Sequence, residues 1–251
     1  MRRTGWLFKM MCMLFLLGTM GCGINEQALA KERMEYPANV PDWFASNFKK
    51  KRYIKVADGT IEQVASYVPQ AIKQLNEALD DRFGVKNRFN LLKGDMPSDG
   101  FLVALRVDDN HELCKKPDGR LAFLDKNADA SAYEIVICHR KIVAAKYLPA
   151  TSQNEPQLYY MDCIIAHEIM HSDMLSHPTW ACGLMCARPT SCYITEHMMD
   201  LWGLTAGKAL GVKLEPRLEV KVSTLLYEPD RSPPQATHSD QNYRSAPCWH
   251  L

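Results

Sequence analysis

Apolar residues recur at helical spacing in two stretches of the chain and run almost unbroken in two others. Ile61, Val64, Val68, Ile72, Leu75 and Leu79 fall three and four apart, which predicts an amphipathic helix from about Thr60, kinked at Pro69 and stopped at Gly84. Leu158, Met161, Ile165 and Ile169 repeat that spacing after Pro156, a residue suited to a first helical position, and His177-Pro178 turns the chain out of helical geometry. Phe101 to Val107 and Tyr133 to Cys138 are apolar or β-branched runs bounded by polar turn residues, so both read as strands. The order helix, strands, helix predicts an α+β fold with a small sheet packed on the second helix. Tyr133 to Cys138 is the expected edge strand, open to pairing with an extended peptide.

The second helix carries the densest chemistry. His167, Glu168 and His171 form His-Glu-x-x-His, and residues four apart share one helical face, so both imidazoles can reach a single ion with Glu168 beside them. Zinc is the expected metal, water the nucleophile and Glu168 its general base. Two histidines leave a tetrahedral ion one protein donor short. Three residues downstream can supply it: Glu196, Asp200 and His177. Glu196, Asp200, Gly203 and Gly207 follow one another along one helical face, where carboxylates can meet the metal and glycines allow close approach of the motif helix. Asp200 can instead accept a hydrogen bond from the far nitrogen of a ligand histidine.

His167 to His171 followed by Tyr193 to Gly203 resembles the thermolysin-type zinc peptidases, the gluzincins. That resemblance implies a zincin-like fold with a helical second lobe, zinc ligands at His167, His171 and Glu196, a general base at Glu168 and a supporting role for Asp200. It covers about forty residues and does not extend to 31–154. Two other resemblances bear on the third ligand. His177 lies ten residues after His167, the spacing of the third histidine in the metzincins, with Met174 where that family places glycine for a sharp turn. Asp200 and Trp202 resemble the deuterolysin-like pattern, without its Gly-Thr before the aspartate. Tyr193, His197 and His177 are the candidates for a transition-state donor.

Composition narrows the setting. With 251 residues, 47% of them hydrophobic, and a net charge of +1, the chain can build one substantial core and carries no electrostatic signature of nucleic-acid binding. Arg2, Arg3 and Lys9 before the apolar run Met10 to Leu17 read as an export signal, too short to span a bilayer. Ala28-Leu29-Ala30 marks cleavage before Lys31, and Gly21-Cys22 is the competing site, which would leave a lipid anchor on Cys22. The mature protein is therefore expected to be secreted or extracytoplasmic, without a transmembrane segment.

Seven cysteines follow the signal: Cys114, Cys138, Cys163, Cys182, Cys186, Cys192 and Cys248. An oxidising compartment pairs most of them and leaves one over, for which Cys163, inside the motif helix, is the candidate. Asp125, Asn127 and Asp129 alternate as in some calcium loops but lack the accompanying glycine and glutamate, which favours a polar turn. The expected organisation is a signal over 1–30, a zinc metallopeptidase domain over 31–227 and an irregular tail over 228–251. Its partners are protein or peptide substrates. The reading from another class is a secreted zinc-binding protein, or an inactive peptidase homologue, that keeps the metal without hydrolysis.

Overall fold

The structure is a computed structural model that describes residues 26–35, 40–117, 120–126, 132–146, 161–179, 183–185 and 193–217. The chain divides into two units, Met1–Ala30 with Glu228–Leu251, and Lys31–Tyr227. The described part of the first is 26–30, the opening of helix α1 (Glu26–Glu35). Everything below concerns the second unit.

Its elements after α1 are α2 (Asp42–Phe48), β1 (Lys51–Val56), α3 (Glu62–Ala65), α4 (Val68–Phe83), β2 (Phe89–Leu91), β3 (Gly100–Val107) and α5 (Glu112–Lys115). There follow β4 (Ala122–Lys126), β5 (Ala132–Ile137), α6 (His139–Lys146), α7 (Met161–His171), a 3-10 turn (Gly183–Met185) and α8 (Glu196–Leu210). The helix expected from Thr60 is two helices, α3 and α4. Pro69 stands in the first turn of α4, where its missing N–H costs nothing, and the break precedes it. Pro156, Leu158, Asn127, Asp129, the predicted tail and residues 1–25 of the predicted signal lie outside the described residues, while its expected cleavage site Ala28-Leu29-Ala30 falls within α1.

The five strands form one mixed sheet in the order β2-β1-β3-β5-β4. β2, β1, β3 and β5 run parallel, and β4 pairs antiparallel with β5 at the edge. Parallel neighbours need crossover connections, which α3, α4 and α5 provide in part. Alternation decides the faces. Ile54, Val103 and Tyr133 align across three strands, as do Leu105, Ile135 and Leu124, and that side joins the main core with α2, α4, α7 and α8. Phe123 and Val136, one residue out of phase, bury the opposite side beneath Cys114 and Cys138.

Three further expectations are corrected. Tyr133 to Cys138 is not an edge, because β5 is hydrogen-bonded on both sides; among the described strands the edges are β4 and β2. Cys163 is not the spare thiol, since it is disulfide-bonded, and Cys114 and Cys138 are bridged to each other. The helical part is also not a lobe of its own. Met198, Met199, Leu201 and Trp202 of α8 belong to the same buried cluster as the sheet.

α7 is buried all round from Met161 to Met170 and packs between α4 and β4. A helix with polar residues inside such a core must satisfy each of them, and that condition shapes the site. Among the described residues no helix is long and apolar enough to cross a membrane.

Candidate metal centre

His167 and His171 stand one turn apart on α7, and His177 returns to them from the segment that follows. The three Nε2 atoms lie 3.0, 3.1 and 3.2 Å apart. On their far sides, His167 Nδ1 donates to the Leu184 carbonyl at 2.7 Å and His171 Nδ1 to the Leu175 carbonyl at 2.6 Å. Those bonds fix the tautomer, so both Nε2 lone pairs are presented to one point. The lone pairs of His167 and His171 face each other at 3.0 Å, and a cation among the three nitrogens, or a proton on His177 Nε2, relieves their repulsion. A triangle of this size is equidistant, at about 2 Å, from a point just off its plane, which is the zinc–nitrogen distance. These three residues are the group among the described residues that can hold a metal ion.

Exposure grades across the group, from buried His167 through half-buried His171 to exposed His177. Burial lowers the His167 pKa to about 4, with the Leu184 bond opposing and the charge of His177 reinforcing the shift. Partial burial lowers that of His177 as well. His167 is therefore neutral at pH 7, the form that ligates.

The turn that brings His177 back depends on two residues. Met174 has φ 58°, the left-handed region that glycine normally fills, and its N–H bonds the His171 carbonyl at 2.9 Å. Asp173, fully buried, receives Arg88 on both oxygens at 2.6 and 2.8 Å, Arg52 at 3.0 Å and the Trp202 indole N–H at 3.0 Å. Arg52 also donates to the Ser172 carbonyl, and its guanidinium lies 4.8 Å from the Phe101 ring. Burial pushes the Asp173 carboxyl up, but the charges of Arg88 and Arg52 and the bonds from Arg88 and Trp202 outweigh it and hold it below the usual carboxylate range. Burial also brings Arg52 down to about 10, still charged at neutral pH.

Glu168 is buried on α7, next to His167 in sequence. It accepts the backbone N–H of Leu124 in β4, while its Oε2 is buried without a hydrogen-bond partner. Burial raises its pKa to about 8, opposed by the charge of Arg120 and by the Leu124 bond. A buried carboxyl with a spare oxygen, one residue from His167 and bonded to edge strand β4, is suited to proton transfer.

Glu196, expected as the third ligand, is exposed and stands outside the histidine group. Thr195 caps α8 by accepting the Met198 N–H, which makes Glu196 the first helical residue, and α8 packs on α2 and α4. Asp200 does not support a ligand histidine either. It pairs with Arg82 at 2.6 Å and Arg33 at 2.8 Å. Gly203 serves α4 rather than the motif helix, since a Cβ there would stand 2.5 Å from the Phe83 ring. His197 is buried against Glu32, and Tyr193 is exposed, with its carbonyl bound by the Leu184 N–H. Gly183 opens that 3-10 turn at φ 51°, and a Cβ would meet the Tyr193 carbonyl oxygen at 2.3 Å.

The sequence reading missed Asp173, the carbonyls of Leu175 and Leu184, and Met185, buried in the turn that carries Leu184. Backbone acceptors leave no residue-type signal. Comparison with family models and with curated proteins finds no match to this chain.

Proposed function

We propose that the chain is an exported zinc-dependent peptidase in which His167, His171 and His177 hold the metal and Glu168 is the general base. The observation that carries the reading is the convergence of three imidazole nitrogens with spacing suited to a tetrahedral ion. This ligand set follows the metzincin spacing rather than the gluzincin one. Met174 in a glycine-like conformation makes the turn that the missing glycine put in question. The 3-10 turn under His167, with Met185 buried in it, fits the methionine turn of that class.

A zinc ion so held would supply a Lewis acid for the scissile carbonyl and would lower the pKa of a bound water. Glu168 takes that water's proton on its free oxygen and passes it to the leaving amine, so the base ends the cycle as it began. β4 lies beside Glu168 with one edge unpaired by the sheet, where an extended peptide can add as a further strand. Export is supported by the leader-like start and by disulfides at Cys114, Cys138 and Cys163.

Glu168→Gln tests the reading. The variant should bind zinc like the parent, because the ligands are intact, and lose nearly all hydrolysis of a denatured-protein or peptide panel. Equal turnover in the variant would remove Glu168 as the base. Zinc binding by the parent with no hydrolysis of any panel member would favour the secreted zinc-binding protein.

A further inference from the structure

His167 and His171 are fixed by a helix, but exposed His177 sits on an irregular segment, between buried Leu175 and Pro178, that must be held in place. Its start is tied where Leu175 accepts from His171. Its end is tied by a residue far away in sequence: Glu32 of α1 accepts the Thr179 N–H on Oε1 at 2.6 Å, two residues past His177. The same carboxylate is anchored through Oε2, 2.8 Å from Nε2 of His197, a side chain only 3% exposed on α8. The neighbouring Arg33 pairs with Asp200, also on α8, at 2.8 Å. Two consecutive residues of α1 thus grip α8, and one of them reaches across to the third-ligand segment.

We propose that Glu32 is a positioning residue for the metal centre, clamping the 175–179 segment so that His177 completes the donor triangle. The proposal rests on the metal-site reading above. A ligand on a loose segment must be ordered when the ion binds, and the lost freedom is subtracted from affinity. A carboxylate bridging a buried histidine and the segment's backbone removes that cost in advance. Both expected processing sites, before Cys22 and after Ala30, leave Glu32 in the mature chain.

Cobalt(II) titration of the full mature chain, read by its visible absorption, separates the alternatives. His177→Ala sets the scale for loss of a ligand. Glu32→Ala should bind cobalt about 10 to 100-fold more weakly than the parent, the usual cost of removing support behind a ligand. Glu32→Gln, whose amide oxygen can still accept from Thr179, should recover most of that loss. Circular dichroism of the metal-free variants should match the parent. Parental affinity in Glu32→Ala alongside a large loss in His177→Ala would overturn the clamp and leave the site intact. Parental affinity in His177→Ala would instead overturn the site reading on which the clamp depends. Weakening in Glu32→Ala that comes with loss of the parental circular dichroism, or that Glu32→Gln does not relieve, would also overturn it.

Discussion

Glu168 shows how far one side chain's chemistry follows from its surroundings. Its position in the helix buries it, burial raises its pKa to about 8, and the carboxyl is therefore mostly protonated at pH 7 in the metal-free protein. A dication bound at the adjacent histidines favours the carboxylate. Zinc loading at pH 7 is accordingly expected to release a proton from Glu168, and affinity should rise as pH increases towards 8. Calorimetric titration in two buffers of different ionisation enthalpy measures that proton. Glu168→Gln should abolish it, and unchanged release in the variant would place the proton elsewhere. The same shift affects the metal-free fold with a definite sign. The raised folded-state pKa stabilises fully below the unfolded value of about 4.5 and is lost as pH rises through 8. His167 acts oppositely: with a folded pKa of about 4, it costs stability as pH falls from about 6.5 towards 4.

At the scale of elements, the turn after α7 is held by the Asp173 cluster more than by its own backbone preference. Asp173→Asn leaves Arg52 and Arg88 buried opposite a neutral amide, and breaking a buried ion pair costs about 3–5 kcal/mol. Urea denaturation should show a loss of that order. A loss below about 1 kcal/mol would mean the cluster does not hold the turn. This element also shows where sequence reading stops. The motif helix, both predicted strands and most of the amphipathic stretch were legible because their apolar residues are the ones that burial enforces, as in Leu75, Val103 and Leu105, whereas β1, β2 and β4 were not. The choice between Glu196 and His177 was not, because it turns on Met174 adopting a glycine-like φ and on the docking of α8 against α2 and α4. The stripe of Glu196, Asp200, Gly203 and Gly207 was a real pattern with another cause: Arg82, Arg33 and Phe83 are what Asp200 and Gly203 meet. The edge strand was misplaced because short β4 gives a weak period, while β5 is apolar from packing on both faces.

For the whole molecule, the cysteines and the metal make claims that chemistry can check directly. With Cys114, Cys138 and Cys163 in disulfides, the native mature chain should show at most one titratable thiol, and several would argue for a reducing location. Replacing Cys114 and Cys138 by alanine opens a bridge between residues 24 apart and should cost about 2–4 kcal/mol in denaturant unfolding. N-terminal mass analysis should find Lys31 first, with a lipidated Cys22 as the outcome that relocates the protein to a membrane surface. The most direct measurement is zinc affinity, by competition with a chromophoric chelator, for the parent, His177→Ala and Glu196→Ala. One zinc per chain is expected, with a severe loss in His177→Ala and parental affinity in Glu196→Ala. The reverse order would contradict the three-histidine centre.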